Sequence, residues 1–342
     1  MTESAIDWGG GYSCSLRLME VDRDTWADAD AVEGFASASV ERDRSNDLME
    51  SASVSVHAES PIKGERWLRI EMLADSGTAV ERHAIGTFLF SPGNSKASAG
   101  AYEVELSGRS VLAPAEDVVL LAGTYAPRGA DGAAYAARLL RECTPAPVTV
   151  DGEFTLADHV VFARGTTHLE AAWMLLRTAN WCIQVDGEGR VYVRKVPTDP
   201  DMVLDRANAR LLGTEVDLEG AMEDVPNRYI AVDDEQVAIE VDESDAQTSY
   251  TSRGRYVDYY DDSPQRIDGE SLRAYAKRRL AEETEVVGKR SYGREWWPGV
   301  MPYSLVKGSI ASVGLDCDLR VLSQSLTIGN GVSVTEVSEV IR

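Results

Sequence analysis

Residues 51–58 read SASVSVHA, with Ala52, Val54, Val56 and Ala58 alternating with Ser51, Ser53, Ser55 and His57. A strand turns successive side chains to opposite faces, so this segment has one apolar face and one wet face. RWLRIEML repeats the pattern, with Leu68, Ile70 and Met72 set against Trp67, Arg69 and Glu71. IGTFLF and AYEVELSGRSVL follow, separated by SPGNSKASAG, a polar stretch too long for a tight turn and expected to be a mobile hairpin loop. Strands with a single apolar face predict an antiparallel sheet covered on one side, as in a sandwich or barrel.

The period changes in the middle of the chain. DGAAYAARLLREC opens on Asp131, a helix cap, and places Ala136, Leu140 and Cys143 on one stripe. TTHLEAAWMLLRTANW opens with Thr167 and Glu170 in capping-box spacing, and Leu169, Trp173 and Leu176 form its stripe. In WCIQVDGEGRVYVRKV, Trp181, Ile183 and Val185 alternate, DGEG turns, and Val191 and Val193 return. This is a small α+β unit, closed by PTDPD.

The last third returns to β. RYIAVDDEQVAIEV predicts a hairpin with Ile230 and Val232 facing Val237, Ile239 and Val241. DGESLRAYAKRRLAEE predicts a helix with Leu272, Tyr275, Ala276 and Leu280 inward. YSLVKGSIAS, LRVLSQSLTI and VSVTEVSEVI predict three strands, the last two joined at Gly329-Asn330-Gly331. The apolar parity slips between Val334 and Val337, which predicts a bulge.

A length of 342 residues allows two or three small cores. No apolar run approaches the roughly 18 residues of a membrane span. The start, MTESAIDWGGGY, lacks basic and apolar leader regions, so no secretory signal is expected. A net charge of −23 argues against a phosphate-binding surface. It serves solubility, or a surface that repels DNA passing close by. Cys14, Cys143, Cys182 and Cys317 show no CxxC spacing, and no disulfide framework is implied; Cys143 and Cys182 are expected to be small buried side chains.

The chain shows no catalytic, cofactor-binding or metal-binding pattern. His57, His83, His159 and His168 have no metal-site spacing, and neither a nucleophile elbow nor a phosphate loop is present. GGGY near the start has no preceding strand and no following helix. Carboxylates are plentiful enough that a glycosidase pair stays open. DDEQVAIEVDESD lacks the calcium-loop pattern and reads as a solvated hairpin. TSRGRYVDYYDD interleaves Arg253 and Arg255 with Tyr256, Tyr259 and Tyr260, but flanking acids favour an interface or exposed strand edge over a single-strand platform. In WWPGVMPYSLV, Pro298 and Pro302 stiffen a corner between strands. Trp296 and Trp297 beside it are expected in a core or against a subunit; a sugar platform is the alternative.

Three passages together resemble the tail-tip baseplate hub proteins of bacteriophages. AIGTFLFSPGNSKASAGAYEVELSGRSVL with PAEDVVLL is similar to the hub's strand, loop, returning strand and short helix. YAARLLREC and GTTHLEAAWMLLRTANWCIQVDGEGRVYVRKV resemble its inserted α+β domain. DGESLRAYAKRRLAEE, GREWWPGVMPYSLVKGSI and the terminal hairpin resemble its closing domain. The likeness is one of layout and covers about residues 15–342.

The resemblance implies a mainly β fold with an α+β insertion: two tube-like antiparallel β-barrel or sandwich domains flanking a small α+β domain. The expected boundaries are 1–117, 118–204 and 205–342. It implies a homotrimer joining the sixfold tail tube or distal tail ring to the threefold tip around a DNA channel. It also implies distal-tail or tube, tape-measure and receptor-binding or tip proteins as partners, and a place in the virion's distal tail after assembly in the host cytoplasm. No enzymatic activity, cofactor or metal is expected, and the chain stops at VSEVIR without room for a cleaving extension. A glycan-binding or glycan-cleaving virion protein using Trp296 and Trp297 is the alternative; a distal tail or tube protein is a further one.

Overall fold

The computed structural model describes residues 6, 11–59, 63–98, 101–200, 202–205, 216–219, 223–233 and 236–341. The first β region contains β1 (Ser13–Val21), β2 (Asp28–Ala31), β3 (Phe35–Asp43), β4 (Glu50–Ala58), β5 (Arg66–Asp75), β6 (Val80–Ser98) and β7 (Ala101–Ser110). After α1 (Ala113–Asp117), the insertion holds β8 (Tyr125–Ala126), α2 (Gly132–Arg141), β9 (Val148–Asp151), β10 (Val160–Val161), α3 (His168–Arg177), β11 (Trp181–Val185) and β12 (Val191–Lys195). The remainder comprises β13 (Met202–Leu204), β14 (Asp217–Glu219), β15 (Arg228–Val232), β16 (Val237–Val241), α4 (Tyr250–Arg253), β17 (Asp258–Asp261), α5 (Leu272–Thr284), β18 (Val286–Glu295), β19 (Leu305–Gly308), β20 (Asp318–Ile328) and β21 (Val332–Ile341). Among the described residues no helix is long and apolar enough to cross a membrane.

The molecule is mainly β with an α+β insertion, as expected. The two β regions share one sheet. Its order is β14-β18-β21-β20-β3-β4-β7-β6-β5-β1-β2, with β19 also on β20 and β13 on β19. The join is antiparallel: β20 pairs β3 from Ser323 opposite Asp43 to Ile328 opposite Ala38. Rows of inward residues cross it, such as Val40–Leu326–Val334, and they fill one apolar core with Val54, Ile70, Phe88 and Leu106.

The insertion has its own core. Asp131 caps α2 through the amides of Ala133 and Ala134, and Thr167 with Glu170 closes a full capping box on α3. Ala136, Leu140, Leu169, Trp173 and Leu176 are buried there, over a three-stranded sheet in which β12 lies between β11 and β9. A further small sheet, β16-β15-β17, packs on α5, with Tyr229, Ala231 and Ala238 against Leu272, Tyr275, Ala276 and Leu280.

Four local expectations are corrected. SPGNSKASAG is not a loop throughout: β6 runs to Ser98 and β7 starts at Ala101, with Ser95 opposite Val104, so the strands continue into a long hairpin. In β5 both faces are covered, because Arg69 and Glu71 are as buried as Ile70 and Met72. The 228–241 hairpin buries Tyr229 and Ala231 and leaves Val237 and Ile239 outward, since α5 takes the tyrosine face. The bulge lies on the partner strand: register shifts between Val321 and Ser323, while Glu336 and Ser338 keep the buried parity of Val334.

Candidate functional site: the seam and the docked insertion

One row of polar side chains crosses the join. Glu50 on β4 lies opposite Arg42 on β3, Arg42 opposite Gln324 on β20, Gln324 opposite Glu336 on β21, and Glu336 opposite Tyr292 on β18. Cross-strand neighbours stand about 5 Å apart, close enough for each to bond the next. Arg42 donates to Glu50 at 3.4 Å, to Gln324 Oε1 at 3.2 Å and to the Ile85 carbonyl. Gln324 Nε2 donates to Glu336 at 2.8 Å and to the Val300 carbonyl at 3.2 Å. Arg294 and Tyr292 both donate to Glu336. All six residues are buried.

Burial alone would raise both carboxyls, and their partners separate them. Glu336 is desolvated, but the Arg294 charge and three hydrogen bonds outweigh burial and hold its carboxyl below the usual range. Burial pushes Glu50 up from 4.5 to about 7, against the pull of Arg42 and with the Asp186 charge adding to it; among the described residues its Oε1 has no hydrogen-bond partner. Arg42 itself is lowered by the same desolvation. Glu50 borders a small gap with Met49, Val185, Met301 and Pro302, where the two β regions and the insertion meet.

The insertion is fastened at several points, among them the Leu156–Ile267 bridge and the Arg278 bond to the Thr178 carbonyl, and three more sit on the first β region and the tryptophan corner. Its DGEG turn enters the outer face of β5 and β6. Thr87 donates to the Gly187 carbonyl at 2.9 Å, while Trp26 and Arg69 donate to the Glu188 carbonyl at 2.8 and 3.0 Å. A Cβ on Gly187 would stand 1.9 Å from the Ala84 carbonyl oxygen, so only glycine fits that approach. Arg69, Arg82 and Arg17 hold Asp28, Glu71 and Glu188 around the turn in ion pairs. At the second point Trp173 and Arg177 of α3 bond Asp47, at 3.0 Å to its carbonyl and 2.6 Å to its carboxylate. At the third, Gln184 donates to the Pro302 carbonyl at 2.9 Å. Trp26, Met49 and Tyr303 have left-handed backbones at these joints, a conformation that costs non-glycine residues about 1 kcal/mol or more each.

The tryptophan corner belongs to this scaffold. Trp296 is 4% exposed in the shared core, its ring 6.2 Å from His83, and Trp297 is half-buried against the core of Tyr292, Val300 and Leu319. A sugar platform needs an exposed face, which the buried Trp296 ring does not offer; Trp297 keeps part of its surface open. His168 contacts the Val118 carbonyl, His159 accepts from the Arg128 amide, and among the described residues no cluster of His, Cys, Asp or Glu could hold a metal. The buried Cys182 thiol is pushed up to about 12, while Cys143 is half-buried. β17 is an exposed strand at the edge of its sheet, as TSRGRYVDYYDD predicted; Tyr250 stacks on Tyr256 and Arg228 covers the Tyr256 face.

A cleft of about 400 Å³ lies between insertion and α5, lined by Arg177, Asn180, Trp181, Gln265, Arg279 and Tyr303. An adjoining cleft gathers Glu282, Glu283, Glu285 and Glu339, each ion-paired to Arg278, Arg279, Arg320 or Arg44. Burial raises the Glu283 carboxyl above its ordinary range, against the pull of Arg279.

No family model and no curated protein matches the sequence. Solved structures do match. The 43 kDa tail protein of prophage MuSo2 from Shewanella oneidensis superposes with a TM-score of 0.68 at 12% identity, over 95% of this chain and 98% of that one. The tail protein from Neisseria meningitidis gives 0.66 at 13% identity, over 96% and 97%. An E. coli type VI secretion component, described as structurally similar to bacteriophage T4 tail proteins, gives 0.54 at 8%, over 90% and 74%. The chain has the fold of these phage tail proteins.

Proposed function

We propose that the chain is a structural virion protein, the trimeric hub at the distal end of a phage tail or phage-derived particle. The observation that carries this reading is the sheet seam: one chain holds two β regions zipped side by side, so three copies offer six to a sixfold tube and remain threefold at the other end. The shared fold with prophage tail proteins over nearly their whole length supports it. The division at 1–117, 118–204 and 205–342 is part of the proposal, and so are the partners: a distal tail or tube ring, a tape-measure protein and a tip protein. We assign no catalytic, cofactor or metal residue. The role is to hold partners in register around a channel, in the distal tail, after assembly in the host cytoplasm.

The acidic balance fits a bore that DNA crosses without adhering. Finding the carboxylates on the outer wall around a neutral or basic bore would count against that part. Light scattering of the purified chain tests the whole reading. Three chain masses are expected; one chain mass at high concentration refutes it.

A further inference from the structure

Residues 47–50 are gripped from the insertion's side. Asp47 takes bonds from Trp173 and Arg177 of α3, Met49 is buried within the insertion's own core, and Glu50 is buried at the start of β4. Two other parts of the chain close over Glu50. Val185 at the end of β11, with Met301 and Pro302 of the tryptophan corner, lines the gap beside its carboxyl. Gln184 ties those two parts together through the Pro302 carbonyl. The Glu50 Oε1 atom is buried and, among the described residues, has no hydrogen-bond partner. A buried carboxylate with an idle oxygen is costly, and a neutral acid in the same place costs far less.

Each part packed on this site brings its own charges. Arg42 on β3 donates to the other Glu50 oxygen and feels the charge of Arg294 on β18, which pairs with Glu336 on β21. The insertion brings Asp186, next to Val185, whose charge acts on Glu50. Asp186 is held by the Arg190 amide and the Tyr192 hydroxyl, with Glu188 in the same turn. Met301 and Pro302 bring no titratable side chain. The docked insertion therefore adds apolar cover and a second negative charge to Glu50, and both effects raise its carboxyl, against Arg42, to about 7. Lifting the 184–186 segment would return water to the carboxyl and remove the facing charge.

We propose that Glu50 is a pH-graded latch on the docked insertion: when neutral it lets residues 184–186 and the Met301 and Pro302 corner close over the seam, and when ionised it loosens them. The docked state binds the proton better than the open one, so docking is firmest below pH 4.5 and weakens as pH rises through 7. With 4.5 as the value in the open state and about 7 in the docked one, the opening equilibrium rises about tenfold between pH 6 and pH 8. The other fasteners hold throughout, so the latch shifts a population and does not free the insertion.

Cys182 reports the opening. It lies on β11 two residues before Gln184, fully buried, with its thiol in electrostatic reach of Arg44, Arg320 and Tyr303 outside the insertion. Alkylation of Cys182 in the full chain is followed by peptide mass spectrometry, with iodoacetamide dilute enough that the rate scales with reagent. The wild-type rate divided by the Glu50→Gln rate cancels the thiolate fraction at each pH. That ratio should rise about tenfold between pH 6 and pH 8. Urea below the unfolding transition separates local from global opening, because undocking exposes less surface and should respond to urea more weakly than unfolding of the whole chain. Should Glu50→Gln not fold, the wild-type rate divided by that of the urea-unfolded chain at the same pH gives the same readout. A ratio that stays flat with pH overturns the latch, and so does labelling that carries the full urea dependence of global unfolding.

Discussion

Replacing Glu50 by glutamine isolates the least satisfied member of the seam. Its carboxyl is raised from 4.5 to about 7, by burial first and against the pull of Arg42. A carboxyl raised on folding binds its proton better in the folded chain. Its contribution to stability is therefore complete below pH 4.5 and is lost as pH rises through 7. At about 1.4 kcal/mol for each pH unit of displacement, ionising Glu50 costs the folded state about 3 kcal/mol by pH 8. Glutamine resembles the protonated acid at every pH and faces Arg42 without a charge. Urea denaturation of both proteins at steps from pH 5 to pH 8.5 reads the difference, and subtraction cancels groups common to both. The two should be about equally stable at pH 5, with the variant ahead by up to about 3 kcal/mol at pH 8. A difference that does not change with pH would refute the reasoning, because Glu50 would then keep its ordinary carboxyl behaviour in the fold.

Glu336→Gln should act in the opposite sense, destabilising by about 3–5 kcal/mol at pH 7 because Arg294 is left buried beside a neutral group, read by the same denaturation. Gly187→Ala should lower stability by about 1–3 kcal/mol and speed proteolytic release of the insertion, since its Cβ meets the Ala84 carbonyl. Trp296→Ala should cost about 3–5 kcal/mol as a core truncation, measured by thermal unfolding. Cys182 should resist a thiol reagent at pH 8 in the folded protein, while Cys143 reacts faster; equal rates would contradict the burial of Cys182.

What could be read from the sequence follows from the range of each interaction. Asp131, Thr167 and Glu170 act within one turn of helix, so the caps and the stripes of α2 and α3 were visible in the letters. The Gly329-Asn330-Gly331 connection is just as local, and β20 and β21 pair up to it from Ile328 opposite Val332. The polar row was not legible, because its members come from five strands spread between residues 42 and 336 and meet only once register is set. A signal was present all the same: Glu336 follows Val332 and Val334 at the same parity, which placed it on the buried face.

Where both parities are apolar, period two cannot choose a face. RYIAV offers Tyr229 and Ala231 or Ile230 and Val232, and the choice was made by α5, whose Tyr275 packs edge-on against the Tyr229 ring. The burial of Arg69 had the same distant origin, since the DGEG turn that it bonds lies over a hundred residues later, while Glu71 is held by Arg17 and Arg82. The tryptophan corner had two readings because the prolines fixed its stiffness but not what packed against it.

The most direct test of the central claim is an image. Electron microscopy of the purified chain, averaged without imposed symmetry, should show a threefold ring of six β lobes around an open channel. A population of single particles, or a ring with a sealed centre, would contradict the account.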